Sequence, residues 1–239
     1  MRRRARASAP VALITGAGRG IGLATAEAFA AAGYAVVLAE LRPEPGRRAA
    51  RALARAGGRA WFRRTDVADA RSVDGTVRAT FRRFGRLDVV VNNAGALRVG
   101  ALARLPVRDL DRMLTVNLRG PLLVTRAALP AMLRRGSGAI VNVASMLGKS
   151  GLRQYVTYCA TKFGVVGLTE ALADELHGTG VRVWAVCPGL TDTPMARLTL
   201  ATPRERARLI RPATIARAIL DLATGRRRAP SGAAIEVTR

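Results

Sequence analysis

Residues 11–22 read VALITGAGRGIG, an apolar run that passes directly into a glycine-rich turn. The run Val11–Thr15 has the composition of a buried strand, and the residues after the turn, Ile21–Ala32, have the composition of a helix. Glycines in such a turn let the backbone approach a pyrophosphate, and the helix N-terminus offers free N–H groups to it. A glycine-rich turn alone can be a simple tight turn, but this one lies between the first strand and the first helix. The predicted cofactor contacts in it are Gly16, Arg19, Gly20, Ile21 and Gly22.

Outward from this stretch, short apolar runs alternate with longer helical segments. Strands are predicted at Val11–Thr15, Ala35–Ala39, Arg59–Arg64, Leu87–Val91, Ala139–Val143, Val181–Val186 and Ala233–Val237. Helices are predicted at Ile21–Ala32, Glu44–Ala56, Ala70–Phe84, Leu105–Leu133 with an interruption near Gly120 and Pro121, Tyr155–His177 and Thr214–Ala223. The alternation predicts an α/β fold with a doubly wound parallel sheet of seven strands in three layers, a Rossmann fold. We expect one domain over residues 10–239 and a disordered basic tail over residues 1–9.

The formal net charge of +24 is the most unusual bulk property of the 239 residues. Clustered basic residues can indicate a polyanionic partner, but here they are spread along the chain, and 38 of the 40 are arginine. We therefore expect a solvated basic surface, with neither nucleic acid nor membrane as a partner. Cys159 and Cys187 lie in apolar segments without metal-ligand spacing, so reduced core thiols, no metal and a cytoplasmic location are expected.

The second predicted strand ends next to Glu40, 18 residues beyond Gly22. A carboxylate at this distance can bind the adenosine ribose hydroxyls and would repel a 2′-phosphate, which favours NAD(H) over NADP(H). Arg19 and Arg42 argue the other way, because a guanidinium can bind a 2′-phosphate. The sequence thus favours NAD(H) and leaves NADP(H) open.

Two residues near the start of a predicted helix, Tyr158 and Lys162, have the chemistry of a proton-transfer pair. They are four residues apart, so both side chains lie on one helical face. A nearby ammonium favours the phenolate and would lower the pKa of Tyr158 toward the range of efficient acid–base catalysis. Ser145, after the fifth predicted strand, can hydrogen-bond the same substrate oxygen. These residues predict reversible hydride transfer between a secondary alcohol and a ketone.

The chain resembles the short-chain dehydrogenase/reductase family in its compact, single-domain form, from about Pro10 to the C-terminus. The resemblance rests on four features: TGAGRGIG at residues 15–22, NNAG at 92–95, the 13-residue spacing from Ser145 to Tyr158, and YCATK at 158–162. It implies that Asn117 completes a catalytic tetrad and holds a water that links Lys162 to solvent. Lys162 would also bind the nicotinamide ribose. Further cofactor contacts implied by the resemblance are Asp66, Val67, Asn93, Ala94, Gly95, Pro188, Gly189, Thr191 and Thr193.

The substrate stays open at this point. Ser145, Leu147, Tyr155 and Tyr158 are expected to contact it, and the residues between Ser145 and Tyr158 favour a moderately apolar ketone or alcohol. A 3-oxoacyl (carrier-protein or CoA) reductase that uses NADPH is one alternative, although the chain lacks the Asp-Gly-Gly ending of many such relatives. A cofactor-sensing regulator or polyanion-binding protein without turnover is another. The resemblance also implies a homodimer or homotetramer, with the helices near 106–133 and 155–177 in the dimer interface.

Overall fold

A computed structural model describes residues 9–197 and 209–238. Its seven strands are β1 Val11–Thr15, β2 Ala35–Glu40, β3 Arg59–Arg64, β4 Val89–Asn92, β5 Gly138–Val143, β6 Val181–Pro188 and β7 Ala234–Val237. Its helices are α1 Gly20–Ala31, α2 Pro43–Arg55, α3 Ala70–Phe84, α4 Val107–Leu114, α5 Gly120–Arg135, α6 Val156–Glu175, the short α7 Pro194–Arg197, and α8 Pro212–Ala223. The seven strands that the sequence predicts are all present.

All seven strands are parallel and form one sheet in the order β3-β2-β1-β4-β5-β6-β7. The chain first builds outward from β1 to β3, and then returns to the other side of β1 and builds outward from β4. The order reverses between β1 and β4, and a crevice opens there at the carboxyl ends of the strands. The topology therefore places the loops after β1, β4 and β5 around one cleft.

The core lies on both faces of this sheet, as a parallel sheet requires. Alternate strand residues face opposite layers: Ile14 and Val36 pack with α1 and α8, whereas Leu13 and Val37 pack with α3 and α5. Trp184 on β6 is fully buried, and its Nε1 donates to the Ala229 carbonyl at 3.2 Å. The predicted three-layer α/β/α architecture is confirmed.

The largest difference from the predicted elements lies between residues 105 and 135. The interruption comes before Gly120 rather than at it, because Thr115–Arg119 form a π-helical segment that joins α4 to α5. Pro121 is the second residue of α5, which follows the π-helical segment without a break. The boundaries of β4 and α6 also shift by a residue or two, and Tyr155 precedes α6 as its N-cap.

Some sequence-based expectations fall outside the described residues. They are the disordered tail, apart from residue 9, and the last residue of the expected domain. Within the described residues, no helix is both long enough and apolar enough to cross a membrane.

Candidate active site

A cleft of about 810 Å³ opens at the carboxyl ends of the strands. Its size is that of a cofactor site. Segments that follow β1 through β6 all contribute to its wall. Nearly all of the sequence-predicted site residues line it: Gly16, Arg19, Gly20, Ile21, Glu40, Asp66, Val67, Asn93, Ala94, Gly95, Ser145, Leu147, Tyr155, Tyr158, Lys162, Pro188, Gly189, Thr191 and Thr193. Gly22 and Asn117 are the two predicted site residues that are not among the lining residues.

The glycine-rich loop between β1 and α1 has the form that a pyrophosphate requires. Gly16 and Gly20 adopt φ values of +64° and +56°, which disfavour any residue with a side chain. Among the described residues no side chain caps the N-terminus of α1, and its first turn carries no acid. Its N–H groups and the positive end of its dipole are therefore available to an anion. A Cβ at Gly22 would collide with the Gly16 carbonyl, so position 22 has no room for a side chain.

Asn93 lines the cleft, but its amide is already engaged with the loop. Its Nδ2 donates to the carbonyls of Thr15 at 2.9 Å and Gly16 at 3.3 Å. In return, the backbone N–H groups of Asn93 and Ala94 donate to Thr15 Oγ1 at 2.9 and 3.0 Å. These bonds tie the end of β4 to the end of β1, so Asn93 holds the shape of the cofactor loop.

Two carboxylates lie at the end of the cleft formed by the segments after β2 and β3. Glu40, at the end of β2, accepts hydrogen bonds from the backbone N–H groups of Gly18 and Arg42, each at 3.0 Å. Asp66, after β3, accepts from the Ala68 N–H at 2.9 Å. Both carboxylates are far along the chain from the predicted catalytic residues. They nevertheless line the same cleft, because all the strands end on the same side of the sheet.

The predicted catalytic side chains converge at the end of β5. Ser145 caps the short 3-10 turn Met146–Gly148 through the Leu147 N–H at 3.1 Å, and it also interacts with the Tyr158 hydroxyl. Lys162 is only 4% exposed, and its Nζ donates to the Val143 carbonyl at 2.8 Å. The same Nζ lies 5.5 Å from the centre of the Tyr158 ring.

Burial dominates the ionisation of this pair. It raises the pKa of Tyr158 to about 12, and the hydrogen bond with Ser145 opposes the rise. Burial also lowers the pKa of Lys162 to about 8. The direction for Tyr158 is opposite to the one expected from the sequence, because loss of water around the phenolate outweighs the hydrogen bond with Ser145.

Asn117 lies in the π-helical segment and is 1% exposed. Its Oδ1 accepts from the Ala96 N–H at 2.7 Å, and its Nδ2 donates to the Ala96 carbonyl at 2.9 Å and to Thr161 Oγ1 at 3.2 Å. The side chain thus joins the loop after β4 to α6. Both N–H groups of the amide are engaged in this way, whereas Oδ1 keeps one acceptor site.

The substrate end of the cleft combines apolar and charged side chains. Met146 and Leu152 line it together with the predicted contacts Leu147 and Tyr155, whereas Lys149 instead pairs with Glu236 at 2.9 Å. The sequence reasoning missed a group of lining residues from the loop after β4, from α4 and from the region around α7. They are Leu97, Arg108, Asp111, Arg112, Leu190 and Met195. No local signal marked them, since an exposed helix face has the same composition whether or not it borders a cleft.

The loop after β6 lies against the glycine-rich loop. A Cβ at Gly20 would lie 3.1 Å from Thr193 Cγ2, so the two loops are in near contact. Thr193 Oγ1 accepts from the Ala196 N–H at 3.2 Å and so also caps α7.

No group of three or more His, Cys, Asp and Glu side chains among the described residues could hold a metal ion, and both cysteines are buried free thiols.

Comparison with known proteins agrees with this geometry. The family model described as short chain dehydrogenase matches residues 10–203. The D-threitol dehydrogenase of Mycolicibacterium smegmatis is 41% identical over 194 residues, which are 81% of this chain and 75% of that protein. The cis-4-hydroxycyclohexanecarboxylate dehydrogenase of Sinomonas cyclohexanicum is 42% identical over 90% of this chain and 89% of its own length.

A reductase and a solved structure extend the comparison. The 3-oxoacyl-[acyl-carrier-protein] reductase of Synechocystis is 41% identical over 82% of this chain and 80% of its own length. A crystal structure of a variant actinorhodin polyketide ketoreductase with NADPH superposes with a TM-score of 0.90 at 36% identity and covers 96% of both chains. With the cleft, the glycine-rich loop and the Ser145, Tyr158 and Lys162 cluster, these similarities show that the chain belongs to the short-chain dehydrogenase family and is an NAD(P)-dependent oxidoreductase acting on alcohols and ketones.

Proposed function

We propose that Tyr158 is the general acid and base of this oxidoreductase, with Ser145 and Lys162 as its partners. The observation that carries the proposal is the convergence of these three side chains at one end of a cleft whose other side is the uncapped N-terminus of α1. The bound nicotinamide cofactor supplies or accepts the hydride. The chain has to orient the substrate oxygen and move its proton.

Each residue has one task in this scheme. The pKa of about 12 keeps Tyr158 protonated at neutral pH, so its hydroxyl can give a proton to the oxygen of a bound ketone. Ser145 donates a second hydrogen bond to that oxygen and holds it in place. Lys162, with a pKa near 8, still carries its charge at neutral pH and stabilises the phenolate that forms. Alcohol oxidation uses the same residues in reverse.

The test is Tyr158→Phe, which removes one oxygen and keeps the ring. Turnover is expected to fall by at least about 100-fold, as it does when a positioned proton donor is lost. Binding of NADH, followed by its fluorescence, should change little, which separates a catalytic loss from a folding loss. Retained turnover in this variant would remove Tyr158 from the mechanism.

Glu40 supports a preference for NAD(H). Its carboxylate lines the cleft at the end of β2, where it can accept from ribose hydroxyls and would repel a 2′-phosphate. Arg19 and Arg42 also line the cleft, so the preference rests on the carboxylate outweighing two guanidinium groups at that end. Titration with NADH and NADPH decides the point, and tighter binding of NADPH would contradict it.

The substrate that fits best is a secondary alcohol or ketone with an apolar group beside the reacting carbon. Leu147, Leu152 and Leu190 line the cleft, and Leu152 and Leu190 are about half exposed. A second candidate is a 3-oxoacyl thioester reduced with NADPH, which the Synechocystis relative and the arginines Arg108 and Arg112 at the cleft favour. A panel of cyclic ketones, linear alcohols and acetoacetyl thioesters with both cofactors distinguishes them.

Exposed apolar side chains support assembly into a homodimer or homotetramer. Leu114 on α4, Leu122 on α5, and Val156 and Phe163 on α6 are each between 37% and 50% exposed. Burial of such side chains against a second copy would remove them from water. Light scattering of the eluting protein measures the mass, and a monomer at micromolar concentration would contradict this proposal.

A further inference from the structure

The Glu40 carboxylate connects two backbone segments. Its Oε2 accepts from the N–H of Gly18, in the glycine-rich loop, and its Oε1 accepts from the N–H of Arg42, the N-cap of α2. Both distances are 3.0 Å. Hydrogen bonds to an ionised acceptor are roughly twice as strong as neutral ones. One side chain therefore joins the cofactor loop to the start of α2.

The residue at position 18 is small because Glu40 and Pro45 both lie close to it. A Cβ there would lie 2.9 Å from Glu40 Oε2 and 2.9 Å from Pro45 Cβ. Gly18 is not among the cleft-lining residues, and its φ is not in the positive region, unlike those of Gly16 and Gly20. The close approach of Glu40 and Pro45, rather than a positive φ, thus leaves no room for a side chain at position 18.

The carboxylate has enough acceptor capacity for two roles. Its two oxygens offer about four lone-pair sites, and the two backbone N–H groups occupy two of them. Glu40 is also in contact with the cleft, so the other two can accept the ribose hydroxyls. A glutamine has only one acceptor oxygen, and its NH₂ group would face a backbone N–H donor.

We propose that Glu40 is a positioning residue that holds the glycine-rich loop in its cofactor-binding conformation before the cofactor arrives. The inference rests on the proposed placement of the adenosine ribose against Glu40, and it adds a second role to that side chain. Its consequence is specific. Neutralising Glu40 removes the repulsion of a 2′-phosphate, but it also loosens the loop that both NADH and NADPH need.

Three variants of the full chain test this. Glu40→Gln removes the charge and one acceptor, whereas Gly18→Ala keeps the charge but places a methyl group 2.9 Å from both Glu40 Oε2 and Pro45 Cβ, which forces the carboxylate and the start of α2 away from the loop. Glu44→Gln is the matched control, because Glu44 is an exposed acid on α2, paired with Arg51 and outside the cleft. Steady-state kinetics give kcat and KM for NADH and NADPH. Hydrogen exchange reports on residues 16–20 and 42 without cofactor.

Both Glu40→Gln and Gly18→Ala should raise KM for NADH about tenfold or more, the effect of one hydrogen bond to a charged group. They should change kcat at saturation less than about threefold, and they should speed exchange in both backbone segments. The control should match the wild type. Gly18→Ala shows whether loss of the hydrogen bond between Glu40 and the Gly18 N–H raises KM when the carboxylate keeps its charge.

Two results would overturn the proposal. One is efficient use of NADPH by Glu40→Gln with unchanged KM for NADH and unchanged exchange, since Glu40 would then act by repulsion alone. The other is Gly18→Ala with wild-type kinetics and exchange. A wild-type preference for NADPH would instead contradict the NAD(H) assignment, while the exchange measurement would still report on the loop.

Discussion

Lys162 is a buried ammonium group, and its burial should appear in the pH dependence of stability. Its side chain is 4% exposed, and loss of hydration lowers its pKa from 10.5 to about 8. Between these two values the unfolded chain binds the proton and the folded chain has released it. Stability therefore rises with pH across this window, because the unfolded state holds more protons.

The size of the effect follows from the shift. A pKa shift of this size lowers the free energy of unfolding by roughly 3 kcal/mol when the pH is below both pKa values, because the folded chain then holds the charged ammonium in a buried site. Between about pH 7 and about pH 9.5, linkage gives a gain of about 2 kcal/mol in the free energy of unfolding. Tyr158 contributes little below pH 10, since its ordinary pKa of 10.0 and its raised pKa of about 12 both lie at or above that value.

The measurement is urea unfolding of the wild type and of Lys162→Met at several pH values in this range. Methionine fills similar space but cannot titrate, so groups that do not interact with Lys162 cancel in the difference between the two proteins. Cys187, whose pKa is raised by burial, interacts with Lys162 and is the group that does not cancel fully. The wild type should gain about 2 kcal/mol relative to the variant as the pH rises. Parallel curves would show that Lys162 keeps an ordinary pKa, and the reasoning from burial would be wrong.

Further changes test other parts of the site. Asn93→Ala removes the two Nδ2 hydrogen bonds to the glycine-rich loop and leaves the backbone bonds to Thr15 Oγ1 in place, so the free energy of unfolding should fall by about 2 kcal/mol and KM for NADH should rise; urea unfolding and kinetics measure both. Gly22→Val places atoms against the Gly16 carbonyl, and fluorescence titration should show that NADH binding is lost. Ser145→Ala should lower kcat about 100-fold with cofactor affinity unchanged, and an unchanged kcat would remove its proposed role. Because the pKa of Tyr158 is raised to about 12, kcat/KM for alcohol oxidation should increase with pH from 7 to 10, and a flat profile would contradict Tyr158 as the base.

The sequence by itself determined the parts of this protein that depend on neighbouring residues. The strand, glycine-rich turn and helix at residues 11–31 follow from local composition and from the conformational freedom of glycine. Tyr158 and Lys162 share a helical face because they are four residues apart. Seven short strand segments, most of them apolar, alternating with helices were enough to predict a parallel sheet with both faces covered.

The tertiary structure decided everything that depends on segments distant along the chain. The amide of Asn93 and the carboxylate of Glu40 bind backbone groups of the glycine-rich loop, and only strand pairing brings them there. The pKa of Tyr158 rises instead of falling because packing around the hydroxyl removes water, which no spacing along the sequence reports. Local rules therefore predicted which residues form the site, whereas packing determined which hydrogen bonds they make and how they ionise.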